Sequence, residues 1–311
     1  MHSRSRRSVL AALSAGGGLG VAGCLGGGDA VSVLAAGSLA SVLGDRLGPR
    51  FEADTGITFH GAYYGTNAVM RMVTDGRKHP DVVVSADAGL LRDRLYETHA
   101  TWDVAFASNA VGIAYAPDTR FGERLGAGTP WYAVVRDADA GDLAISDPDL
   151  DPLGYRAVHA FRLAERAHGL DGFADAAVDA AYREPHEPQL LAGVASGKRA
   201  AAVVYRNMAA DHGLPFHPFP EAYSFSNPAY ADRYREVSYT TDEGYTATGA
   251  PIVYNATVLE TADSPAAGRR FVRALASAGD ALRANGFETE RFPRTRGAVP
   301  PAARPTGVGD A

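Results

Sequence analysis

Three short runs near the start of the chain combine glycine, hydroxyl and carboxyl or amide groups where a strand pattern gives way to a helical one: Gly37-Ser38, Gly65-Thr66-Asn67 and Ser85-Ala86-Asp87. Helix amino ends present unpaired N–H groups and a partial positive charge. Several converging on one cleft can therefore hold an anion without lysine or arginine. Glycine allows close backbone approach, and the hydroxyls of Ser38 and Thr66 either donate to an oxyanion or cap their own helices. The chemistry suggested is noncovalent capture. A nucleophilic serine would need Gly-x-Ser-x-Gly after a strand, and metal-assisted hydrolysis a cluster such as His-Glu-x-x-His. Neither pattern occurs, which leaves an extracellular hydrolase as the weaker reading.

For these runs to meet, alternating elements must bring them to one edge of a sheet. Val31 to Ala35 predicts a buried strand, followed by a helix with Leu39, Val42, Leu43 and Leu47 on one face. Ile57 to His60 and Asp81 to Ser85 predict two more strands, each followed by a helix. Such alternation predicts an α/β protein whose sheets are mostly parallel and flanked by helices, with ligands settling beyond the carboxyl ends of strands. Val111 to Tyr115 marks a crossing into a second α/β lobe with strands at Leu143 to Ser146 and Ala201 to Tyr205. Gly249 to Tyr254 reads as a returning strand and Ala266 to Ala284 as a closing helix. The expected division is residues 31–111 plus 236–300 for lobe 1 and 112–235 for lobe 2, with a hinge between them and a disordered tail at 301–311.

Length and charge agree with this picture. At 311 residues the chain exceeds what one growing core accommodates. Its formal charge of -6, with Lys78 and Lys198 the only lysines, argues against nucleic acid as a partner. The amino terminus supplies an address. Arg6-Arg7 precede an uncharged stretch, Val9 to Gly23, that is too short and too glycine-rich to span a bilayer. Residues 1–23 read as a twin-arginine lipoprotein signal, 24–30 as a flexible spacer, and Cys24, the lone cysteine, as the site of thioether lipidation. The expected location is the extracellular face of the cell membrane.

Several runs together resemble a known family, the archaeal tungstate/molybdate-binding proteins of ABC importers, which have the type II periplasmic-binding-protein fold. They are Leu34-Ala35-Ala36-Gly37-Ser38-Leu39, Pro80 to Asp87, Asp149-Leu150-Asp151-Pro152-Leu153-Gly154-Tyr155-Arg156, Val204-Tyr205-Arg206 and Gly249 to Tyr254. The resemblance spans nearly the whole mature chain. It implies a molybdate or tungstate ligand, no cofactor, permease and ATPase partners, and an oxyanion held by the amides and hydroxyls of the two glycine turns; a monomer suits the expected hinge closure. It further implies two carboxylates that complete an octahedral shell around the metal. One maps to Asp151, and the other to Glu187, with Glu184 as the fallback. Tyr205 either closes over the ligand or packs in the core.

This sequence departs from the family's pattern at Thr66-Asn67, where a small Ser-Ala pair is usual, in the shorter segment between Tyr155 and Glu187, and at Pro185 and Pro188 beside Glu187. Carboxylates in such a cleft repel sulfate and phosphate, whose central atoms accept no further oxygen, whereas molybdenum(VI) and tungsten(VI) do accept it. A tetrahedral site for sulfate, phosphate or an iron complex is the rival within the fold.

Overall fold

The computed structural model describes residues 29–305. The signal, Cys24, most of the spacer and residues 306–311 lie outside the described residues.

Two sheets flanked by helices make up the molecule. The first has the strand order Arg294–Gly297, Trp102–Ala107, Tyr254–Val258, Val82–Ser85, Ala30–Ala36, Thr58–Tyr64. The second runs Tyr182–Glu184, Leu143–Ser146, Ala201–Tyr205, Val111–Tyr115, Phe216–Pro218. Val82–Ser85 and Ala201–Tyr205 are buried along their whole length, as strands covered by helices on both faces must be. The α/β reading holds, but the pairing is mixed rather than mostly parallel. Ala30–Ala36 pairs in parallel with both its neighbours, whereas Tyr254–Val258 runs antiparallel to Val82–Ser85 and to Trp102–Ala107. Val111–Tyr115 is likewise antiparallel to both its neighbours. These are the strands by which the chain enters each lobe from the other, so no crossover helix dictates their direction.

Other boundaries differ from expectation. Val111 already pairs with Tyr205 in the second sheet, so the crossing lies at Ser108–Ala110. Glu288 clamps this crossing by exchanging both main-chain hydrogen bonds with Ser108, at 2.8 and 2.9 Å. Only Tyr254 onward of the predicted returning strand is a strand, because Pro251 has no N–H to offer a ladder. Before it, a hairpin of Ser238–Thr240 and Thr246–Thr248 lies against the helix Pro152–His168, with Arg162 donating to the Ser238 carbonyl. The closing helix is two, Pro265–Ala276 and Gly279–Ala284. Residues 301–305 are ordered, contrary to the expected tail: Pro301–Ala303 form a 3-10 turn, Ala303 is fully buried, and Arg304 donates to the Val299 carbonyl. Among the described residues no helix is long and apolar enough to cross a membrane.

Candidate functional site

The two glycine turns end neighbouring strands of the first sheet and face the second lobe. Gly37–Leu39 forms a 3-10 turn directly after Ala30–Ala36, and Gly65 precedes the helix Thr66–Thr74. Neither hydroxyl caps its own helix. The Ser38 Oγ accepts from Tyr254 Oη at 3.2 Å, and the Thr66 Oγ1 accepts from the Ala86 amide at 3.3 Å. Ser85 serves its own turn, donating to the Asp87 carbonyl and accepting from the Asp87 amide. It takes no part in the site.

The second lobe brings two carboxyl groups onto these turns. Asp151 caps the helix Pro152–His168, its Oδ2 accepting from the Leu153 amide at 3.2 Å while Oδ1 accepts from the Thr66 amide at 3.4 Å. Leu150 O accepts from the Ala68 amide and Asp149 O from the Asn67 side chain, so the whole run before the helix lies along the Thr66 turn. Glu187 opens the 3-10 turn Glu187–Gln189 that leads into the helix Leu190–Ala195, ahead of the strand Ala201–Tyr205. Contact is close enough to require both glycines. A Cβ on Gly37 would stand 2.7 Å from Glu187 Oε2, and one on Gly65 would stand 2.8 Å from Asp151 Cβ.

Burial of these acids is nearly complete, at 1% exposure for Asp151 and 0% for Glu187. Neither oxygen of Glu187 has a hydrogen-bond partner of normal geometry. Burial, and then the neighbouring Asp151 carboxylate, push the Glu187 carboxyl well above the usual range, while the amides and hydroxyl of Ser38 and Gly37 draw it down. Burial likewise pushes Asp151 up to about 6, opposed first by the Ser146 hydroxyl and then by the Thr66 amide. Two acids buried near each other are unfavourable as a pair of charges unless protons or an oxygen-seeking centre come between them.

That imbalance has a pH signature in the ligand-free protein. Because its pKa rises from 3.8 to about 6, the closed fold holds this proton more tightly than open chain does. The associated stability is fully present below the unfolded value and is lost as pH climbs through the folded one. The ligand-free melting temperature of wild type is therefore expected to fall, relative to Asp151→Asn, between about pH 4 and about pH 7. Parallel melting curves for the two proteins across that window would refute the assignment.

All eight expected ligand-binding residues lie at this junction. Tyr205 is fully buried, and its Oη accepts from Arg156 Nη1 at 2.6 Å, so its own proton points elsewhere. Burial keeps that hydroxyl protonated. Tyr205 is thus packed in the core, near the Asp151 and Glu187 carboxylates. Glu184, the fallback acid, ends the edge strand Tyr182–Glu184 and accepts from the His186 amide. Sequence reasoning assigned no role to Arg156, Ser146, Tyr254 or Asn207, which donates to the Ser38 carbonyl at 2.7 Å. For Arg156 a signal existed, because it sits five residues after Asp151 at the start of one helix.

Among the described residues no three His, Cys, Asp or Glu side chains gather into a site for a bare metal ion. An open cavity of about 730 Å³ lined by Trp131, Arg206, Glu288, Arg291 and Phe292 carries none of the expected site residues.

Comparison with known proteins fits this geometry. Residues 31–288 match the family model described as bacterial extracellular solute-binding protein. An uncharacterised solute-binding protein of Halobacterium salinarum is 49% identical over 301 residues, covering 96% of this chain and 97% of the relative. A Haloferax volcanii protein provisionally named an ABC transporter molybdenum-binding protein is 40% identical over 308 residues, with 96% and 97% covered. The molybdate/tungstate-binding protein WtpA of Pyrococcus abyssi is 29% identical over 294 residues, with 83% and 85% covered. Among solved structures, the periplasmic molybdate-binding protein of Azotobacter vinelandii superposes with a TM-score of 0.62 at 17% identity, covering 84% of this chain and all of that one. The sulfate-binding protein SubI of Mycobacterium tuberculosis gives a TM-score of 0.56 at 14% identity, with 89% of each chain covered. Both share the fold. A family match over residues 31–288, most of the chain, makes this protein a member of the bacterial extracellular solute-binding protein family.

Proposed function

We propose that this protein captures molybdate or tungstate outside the cell and presents it to the permease and ATPase of an ABC importer. The observation that carries the reading is the pair of buried acids, Asp151 and Glu187, pressed against the two glycine turns. A simple oxyanion such as sulfate gains nothing from them, since two carboxylates repel a dianion in a poorly solvated pocket. A molybdenum(VI) or tungsten(VI) centre is hard and oxygen-seeking, and expanding its shell with both carboxylates turns the repulsion into bonding. The amides of Gly37, Ser38 and Thr66, with the Ser38 and Tyr205 hydroxyls, supply donors for the oxo groups. The names carried by the Haloferax and Pyrococcus relatives support the same ligand class.

The address read from residues 1–24 completes the proposal: export by the twin-arginine route, a lipid on Cys24, and a monomer tethered by a glycine-rich spacer. Calorimetric titration of the domain from residue 29 with tungstate, molybdate, sulfate and phosphate tests the ligand. Tight binding of the first two with no heat from the others is expected. Comparable binding of sulfate, or no binding of any of the four, would overturn the proposal.

A further inference from the structure

The acids of the site sit at the mouth of a second set of contacts that joins the lobes, and this set involves no expected ligand group except Tyr205. Asp87, in the first lobe, follows the strand Val82–Ser85 and caps the helix Ala88–Leu95, its Oδ1 accepting from the amides of Gly89 at 2.9 Å and Leu90 at 3.1 Å. Its other oxygen, Oδ2, is gripped from the second lobe. Tyr155 Oη donates to it at 2.7 Å and Arg156 Nη2 at 2.8 Å. The remaining arm of Arg156 donates to the Ala86 carbonyl at 3.1 Å, again across the cleft, and to Tyr205 Oη within its own lobe. The Arg156 side chain is 3% exposed and that of Asp87 18%, so the pair is largely closed to water.

Two features make this arrangement more than an incidental ion pair. Capping immobilises the Asp87 carboxylate before the lobes meet, so little side-chain entropy is lost when the second lobe engages it. Tyr155 and Arg156 also ride near the amino end of the same helix that Asp151 caps. A ligand bonded to Asp151 therefore holds in place the helix end that carries the grip, and the grip in turn fixes Tyr205 over the ligand.

We infer that Asp87, Tyr155 and Arg156 form an interlobe latch that holds the cleft shut and sets how long the ligand is retained. They are positioning residues: they act on lobe closure and on Tyr205, while the oxyanion meets other groups. The inference rests on reading the junction as a closing cleft, and it extends the proposed function from what binds to how long it stays.

Asp87→Asn is the informative variant, because asparagine caps helices as well as aspartate does, while the amide nitrogen that replaces Oδ2 carries no charge and cannot accept from Tyr155 or Arg156. Tyr155→Phe removes a single hydroxyl and serves as the second, milder variant. Two measurements separate this inference from the ligand assignment. In ligand-free protein, the distance between spin labels placed one on each lobe reports the open population whatever the ligand is. With tungstate as the probe, stopped-flow kinetics report association and dissociation separately. Both variants are expected to widen the label distance distribution and to speed tungstate dissociation, about tenfold for Asp87→Asn and less for Tyr155→Phe, with association changed by less than about twofold. A merely structural role would lower the melting temperature without that split. Unchanged dissociation and label distances in both variants would overturn the latch. Failure of wild type to bind tungstate would instead overturn the ligand assignment, and the label distances would still decide the latch.

Discussion

Glu187→Gln is expected to lower tungstate affinity by about 100- to 1000-fold while raising the melting temperature of the ligand-free protein. The two effects have opposite signs for one reason. Glutamine keeps the shape of a side chain that is 0% exposed and lies against Gly37, so packing is retained. It removes a carboxyl group whose ionisation is opposed by burial and by the Asp151 carboxylate, so the empty site no longer has to hold a proton there. The same change deprives a molybdenum or tungsten centre of an anionic oxygen donor, and a carboxamide oxygen is a weaker substitute. Calorimetry with tungstate beside thermal melting of the apoprotein reads both signs. A variant that loses affinity and stability together would indicate simple damage, and undiminished affinity would remove Glu187 from the ligand shell. Asp151→Asn should lose affinity similarly, since asparagine retains the helix cap toward Leu153 but not the charge.

Gly65→Ala is expected to weaken tungstate binding about 100-fold and to leave the melting temperature of ligand-free protein close to that of wild type. The backbone at Gly65 has φ -55°, which alanine adopts freely, so the turn itself is not strained. What the added methyl meets is the other lobe. It would lie 2.4 Å from the Leu150 carbonyl oxygen and 2.8 Å from Asp151 Cβ, atoms fixed by the backbone that yield only if the cleft opens. Each lobe then folds and closure fails. Gly37→Ala should cost less, because one of the atoms it meets, Glu187 Oε2, is the far end of a rotatable side chain. Small-angle scattering with and without tungstate distinguishes these outcomes. Full ligand-induced compaction of Gly65→Ala would refute the close-contact argument.

How much of the site could be read in advance depends on how local each signal is. Gly37-Ser38 and Gly65-Thr66 were legible because strand, glycine and helix occur within a few residues and their chemistry follows from backbone geometry. Asp151 and Glu187 were legible only through family resemblance. Nothing in their spacing places an acid from a helix cap beside an acid from a 3-10 turn 36 residues on. Arg156 stood in the most distinctive run of the chain and still had no role, because its partners Asp87 and Ala86 belong to the other lobe. The same limit explains the strands that went unread. Trp102–Ala107 and Arg294–Gly297 carry weak local patterns and are held by pairing with each other across almost two hundred residues.

By itself the sequence determined the class of the protein: alternating apolar strands and amphipathic helices, glycine turns at strand ends, and a chain long enough for two lobes. These are properties of neighbouring residues, and hydrophobic burial and backbone sterics act on them at short range. The tertiary structure alone decided that the two acids are buried against the two glycine turns, that the Asp151 carboxylate raises the Glu187 pKa, and that glycine is needed where they touch the first lobe. Electrostatics in a closed cleft depends on burial and on distances between remote segments, and only the assembled fold sets both.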